Sequence, residues 1–189
     1  MDPVEVNYKN SLASLKIGYY LADYLTEDSA IVCIGTDKCI IDSLGPLIGT
    51  ILSRKNVCID IYGTLEKPVH AINLIDYIKN INSKNYKNIL AIDACLSTKK
   101  NQGTIEVRNG PINPGKGIGK ILPEIGTVSI IGIVESSDKE FQKLIQDTRL
   151  SFIYDMAEVI AEGILISMNI NESKEEFEQE ELVSSTVKT

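Results

Sequence analysis

The sequence is poor in the residues from which several kinds of site are built. It holds one histidine, His70, and its four cysteines, Cys33, Cys39, Cys58 and Cys95, form no CxxC pair, which argues against a zinc knuckle. No apolar run approaches the length of a membrane-spanning helix, so no membrane partner is expected. The first residues, Met1-Asp2-Pro3-Val4-Glu5, lack the charged and apolar regions of a signal peptide. A cytoplasmic protein with reduced thiols is the expectation. Clustered Lys and Arg are also missing. The net charge is −7, and six Glu against two Lys in 171–189 supply −4 of it, leaving a nearly neutral body. Phosphate backbones are held by clustered cations, so direct nucleic-acid binding is not expected. No internal repeat is visible.

A nucleotide loop is nearly present but incomplete. Gly110-Pro111-Ile112-Asn113-Pro114-Gly115-Lys116 matches the first seven positions of a phosphate-binding P-loop, but Gly117 stands where Ser or Thr should hold magnesium. Pro111 and Pro114 remove backbone donors that a phosphate would need. The segment reads instead as a rim, with Lys116 and Lys120 offering positive charge to a substrate.

What is present is ordinary for one globular domain: 189 residues, 43 % hydrophobic and 24 % charged. Ile31–Ile34, Val57–Ile61, Asn88–Asp93 and Val128–Val134 read as strands, the first, third and last as buried ones, and Thr104–Val107 as a short strand. Apolar spacing predicts helices with inward faces at Leu12, Leu15, Tyr19 and Ala22; at Leu44, Leu47, Ile48 and Ile51; at Ala71, Leu74, Ile75 and Ile78; and at Ile153, Met156, Ala157, Ile160 and Ile164. Cys33 and Cys58 lie in apolar runs and read as core residues. Ser136-Ser137-Asp138 reads as a helix cap. Strands alternating with helices imply βαβ units, an α/β fold with a mainly parallel sheet covered on both faces. Residues 1–170 form the expected domain, and 171–189 an acidic, disordered tail.

Two stretches stand where such a sheet binds ligands, at the carboxyl ends of its strands. They are Gly35-Thr36-Asp37-Lys38-Cys39-Ile40-Ile41-Asp42-Ser43-Leu44-Gly45-Pro46 and Ala91-Ile92-Asp93-Ala94-Cys95. Asp42 precedes a helix start and reads either as its cap or as a functional carboxylate. Asp37 after Gly-Thr is at home in an Asx turn. Asp93 ends an apolar strand, where a carboxyl is paired or functional. Two such carboxyls close together push their pKa values apart, leaving an acid and a base. His70, in the first turn of the third helix, reads as a half-buried residue, a base, or a metal ligand beside the aspartates. A Cys95–His70–Asp nucleophile arrangement is conceivable. Arg149 reads as a surface ion pair or a carboxylate anchor.

The series Ile34-Gly35-Thr36-Asp37…Asp42-Ser43-Leu44-Gly45-Pro46, Gly63-Thr64-Leu65-Glu66-Lys67-Pro68-Val69-His70-Ala71-Ile72-Asn73-Leu74, Ala91-Ile92-Asp93-Ala94-Cys95-Leu96, Gly110-Pro111…Pro114-Gly115…Gly117-Ile118-Gly119 and Gly132-Ile133-Val134 resembles the YyaC family of sporulation proteins. That family is similar to the germination protease of spore-forming bacteria and, more distantly, to the peptidases that mature nickel–iron hydrogenases. The resemblance implies a three-layer α/β/α sandwich of the phosphorylase/hydrolase-like type. It also implies a peptidase of small acid-soluble spore proteins, located in the forespore or spore core and self-associating. Asp42 and Asp93 match the two aspartates the protease is thought to use, and Asp37 and His70 belong to the YyaC-type motifs. Cys39-Ile40-Ile41 before Asp42 is more apolar than in the relatives, which implies a desolvated Asp42 with a raised pKa or a structural one. Alternatives are a binding or adaptor protein without turnover, and a metal-binding, maturation-peptidase-like protein using His70 and Asp37. No other cofactor is expected.

Overall fold

The runs richest in β-branched residues become the inner strands of one sheet. The structure is a computed structural model that describes residues 2–55, 57–98, 100–115, 122–138 and 140–186, with side chains as far as residue 174. In chain order its elements are β1 (Val4–Asn7), α1 (Ala13–Leu21), β2 (Ser29–Cys33), a 3-10 turn (Ile40–Asp42), α2 (Leu44–Ser53), β3 (Asp60–Tyr62), α3 (Leu74–Ser83), β4 (Asn88–Leu96), β5 (Thr104–Asn109), β6 (Val128–Glu135), α4 (Phe141–Asp147) and α5 (Leu150–Thr186). The six strands lie in the order β1-β5-β6-β4-β2-β3. β3, β2, β4 and β6 run parallel, and β5 and β1 are added antiparallel. The fold is thus α/β with a mostly parallel sheet and five α-helices among the described residues. No helix among them is long and apolar enough to cross a membrane.

Side-chain alternation along the strands sorts the core into two clusters. Ile31, Leu90, Ile92, Val128 and Ile130 pack with Ile17 and Leu21 of α1, Ile48 of α2 and Ile153, Met156 and Ile160 of α5. Val32, Ile34 and Ala91 face the other way, onto Leu74 and Ile81 of α3, with Ile112 and Ile125. α2 leads from β2 outward to β3 over the first face. α3 leads from β3 back past β2 to β4 over the second. The connections therefore part between β2 and β4, and a crevice opens at the carboxyl ends of those two strands.

Several expectations need correction. The buried face of α1 is Ala13, Ile17, Gly18, Tyr20 and Leu21, while Leu12, Leu15 and Tyr19 are exposed. The helical period was legible, but the face was misread because Gly18 and Ala13, lacking bulk, permit the close approach to α5 that the larger residues would block. Cys58 is exposed, because the strand begins only at Asp60. Ser136-Ser137-Asp138 caps no helix: Asp138 N–H donates to Ser136 Oγ at 3.3 Å, and α4 starts at Phe141. The backbone of α5 is helical to Thr186. Asn171 Nδ2 donates to Leu25 O, and Lys174 Nζ lies 4.0 Å from Asp23 Oδ1, so the helix is tied to the body there.

Candidate active site

Three chain segments are laced together at the crevice before any of the candidate residues appears. Ile34 extends β2 by one residue, donating its N–H to Ile92 O at 2.8 Å and bridging Val69 in parallel. Gly35 N–H donates to Val69 O at 2.8 Å. The residues that follow, Thr36, His70 and Asp93, emerge beside one another. The sheet's hydrogen bonding, rather than any contact between the polar groups, brings them to one place.

The loop from Gly35 to Asp42 is closed on itself. Thr36 N–H donates to Asp42 O at 2.9 Å, Asp42 N–H to Cys39 O at 2.9 Å and Ser43 Oγ to Ile40 O at 2.7 Å. Gly35 has φ +137°, and a Cβ there would stand 2.1 Å from Asp42 O, so the closure requires glycine. Asp42 ends the 3-10 turn, and Ser43 occupies the position before α2, with no side-chain cap bond. The helix-cap reading of Asp42 is therefore corrected. Burial pushes the Asp42 carboxyl up to about 6, against the lowering effect of the Thr36 backbone and of the nearby His70 charge. The desolvation that its apolar flank implies is thus present.

Asp93 lies within β4 rather than at its end, since pairing with β6 continues to Leu96. Its carboxyl faces the α3 side, as do Ile89 and Ala91. Burial pushes it up to about 8, the Asp42 charge adds to the rise, and the bond from Ala94 N–H to Asp93 Oδ1, at 2.9 Å, opposes it. Asp42 and Asp93 thus sense each other, and their acidities are staggered. Between about pH 6 and 8 the pair as a whole holds one proton. Such a pair can take a proton from water and return one to a leaving group.

The other candidates take lesser places. His70 sits in the loop before α3, which starts only at Leu74, so its expected placement in the first helical turn is corrected. Its Nδ1 accepts from Ile72 N–H at 3.4 Å, so a neutral ring carries its proton on Nε2. Asp37 is exposed on the rim of a cleft and does not join the carboxyl pair. Cys95, on the face of β4 that carries Asp93, is exposed and donates its thiol proton to Leu96 O at 3.2 Å. Arg149 is exposed just before α5. Ile112 exchanges backbone bonds with Ile125 at 3.0 and 3.1 Å and is buried, so the P-loop reading fails in the part that is described. Lys116 and Lys120 lie outside the described residues. Among the described residues no group of three or more His, Cys, Asp or Glu is placed to hold a metal ion.

Asn73 was missed. Its Oδ1 accepts from His70 N–H at 2.8 Å and its Nδ2 donates to Pro68 O at 3.0 Å, clamping the loop that carries the histidine. An Asn three residues after the histidine, just before an apolar helix, was the available signal. Replacing Asn73 by Ala is expected to cost about 1–2 kcal/mol in denaturant unfolding.

Comparison with known proteins places the chain. The model of a family described as protein of unknown function (DUF1256) matches residues 5–163. The uncharacterized protein YyaC of Bacillus subtilis (strain 168) is 38 % identical over 184 residues, which cover 94 % of this chain and 87 % of that protein. The stretches around Asp37, Asp42, His70 and Asp93 all fall inside the matched region, and the chain, similar to YyaC, belongs to the DUF1256 family.

Proposed function

We propose that this protein is a peptidase in which Asp42 and Asp93 act as base and acid on a protein substrate. The observation that carries the reading is the staggered pair itself: two carboxyls from different elements, at a topological switch point, each shifted upward and one of them by the charge of the other. Ionised Asp42 takes a proton from a water that attacks the peptide carbonyl. Protonated Asp93 then gives its proton to the leaving nitrogen. Helices against both sheet faces support the three-layer, phosphorylase/hydrolase-like reading of the fold, and the motifs resembling the germination protease support small acid-soluble spore proteins as substrates.

The test is a cleavage assay on such proteins, with fragments read by mass spectrometry between pH 5 and 9. Cleavage is expected to rise near pH 6 as Asp42 ionises and to fall near pH 8 as Asp93 loses its proton. Asp42→Asn should lower the rate by about 10²–10⁴. Full cleavage by both Asp42→Asn and Asp93→Asn would sink the proposal. The exposed apolar side chains of Ile72, 84 % accessible, and Leu65 near the crevice favour one second reading, a polypeptide-binding protein without turnover. Capture of an unfolded spore protein without any fragments at any pH would select it.

A further inference from the structure

Beside Asp42 lies a cleft of about 330 Å³ lined by Asp37, Ile40, Ser43, Leu47, Leu65 and Leu150. It is built around the reacting turn. Ile40 and Asp42 belong to the same 3-10 turn, Ser43 follows it, and Leu47 lies one helical turn further along α2. Leu65 is fixed at the opposite wall: its N–H donates to Thr50 Oγ1 at 2.9 Å, and that hydroxyl donates to Pro46 O at 2.8 Å. Leu150 opens α5, which, like α4, packs against the turn.

The size and lining restrict the occupant. The volume falls at the small end of ligand pockets, suited to one side chain rather than to a cofactor. Leu150 remains 57 % accessible and Leu65 37 %, so two walls present apolar surface to water that a bound side chain would cover. The one charge in the lining is the Asp37 carboxylate, exposed at the rim and without an ion pair to any described residue. An acidic rim over an apolar floor is complementary to an apolar residue with a cation beside it.

We infer that this cleft is the specificity subsite of the enzyme, taking an aliphatic or aromatic side chain of an extended substrate segment while a neighbouring Lys or Arg pairs with Asp37. The inference rests on the reading of Asp42 and Asp93 as the reacting pair, since it names the substrate segment that pair would meet. It assigns Asp37 to substrate selection rather than to proton transfer.

The experiment separates the two ideas by measuring binding apart from turnover. Fluorescein-labelled peptides with Leu-Lys, Ser-Lys and Leu-Glu at their centre are titrated with Asp93→Asn protein in fluorescence anisotropy, and the same peptides are given to the parent in a cleavage assay. Leu-Lys is expected to bind about tenfold tighter than either other peptide. Adding Leu150→Asp should erase the preference for Leu over Ser. Adding Asp37→Lys should reverse the preference between Leu-Lys and Leu-Glu. Both residues are exposed, so neither change threatens the fold. Equal binding of the three peptides, or a charge preference unmoved by Asp37→Lys, would overturn the subsite. Selective binding with no cleavage by the parent would uphold the subsite and count against the reacting pair.

Discussion

Asp93→Asn is expected to abolish cleavage and, above pH 8, to make the protein more stable. Both results come from one carboxyl held at about 8 by burial and by the charge of Asp42. In the unfolded chain the same group titrates near 4. A carboxyl raised on folding contributes its full stability below pH 4 and loses it progressively until the folded value is reached near pH 8. Each pH unit in that window costs the fold about 1.4 kcal/mol, which sets a ceiling of ~5 kcal/mol. Asparagine keeps the shape and cannot ionise. Thermal unfolding at pH 4 and pH 9 is therefore expected to give nearly equal midpoints for parent and variant at the acid end. At the alkaline end the variant should gain up to about 10–20 °C, at about 2–4 °C for each kcal/mol recovered. Asp42 adds a smaller slope of the same sign between about pH 4 and 6. Parallel pH profiles for the two proteins would show that Asp93 carries no such strain.

Gly63→Ala is expected to be the more damaging of two glycine substitutions, costing about 4 kcal/mol or more of folding stability. Gly63 has φ +91°, and an added Cβ would stand 1.9 Å from Cys33 O. Its own carbonyl oxygen would lie 2.0 Å from a Cβ on Gly49, and a Cβ on Gly45 would stand 2.1 Å from Ile34 O. α2 is thus pressed backbone to backbone against the end of β2 and the loop after β3, and no flexible side chain can give way. Gly110→Ala supplies the control, because its φ is +102° and nothing lies within 4 Å of the new methyl group. It isolates the conformational cost at about 1–2 kcal/mol. The difference between the two substitutions in chemical denaturation then measures the collision, expected to bring the Gly63 variant to a loss of about 4 kcal/mol or more. Equal losses would mean that the loop after β3 simply moves aside.

The parallel strands were readable because burial on both faces demands unbroken apolar runs, as in Ile89–Ile92 and Val128–Val134. β1 was not, since Val4 and Val6 alternate with Glu5 and Asn7 and acquire their meaning only opposite Val107 and Ile105 of β5. The inner face of α1 was hidden for the opposite reason: a glycine and an alanine mark close contact, while larger residues point outward. At the site, Asp42 and Asp93 could be named from their positions after apolar strands. Their stagger could not, because it depends on how near the turn carrying Asp42 comes to β4 and on how far each carboxyl is removed from water. The cleft beside them was illegible, being assembled from side chains as far apart in sequence as Asp37 and Leu150.

The two ends of the chain are interlocked, and this sets the order in which the molecule can be made. β1 finds its partner about a hundred residues later in β5, and α1 packs on α5, the last helix of the chain. During synthesis β1 therefore waits for β5, and α1 waits longer still for its packing surface on α5. Closure waits for long-range pairing, which slows folding and leaves an amphipathic α1 waiting in solution. A nascent chain stopped before Leu150 would hold the sheet residues of both aspartates yet lack the helix that seals α1 against it. Folding should thus wait for α5 in its last step, and the carboxyl pair should reach its final burial only then.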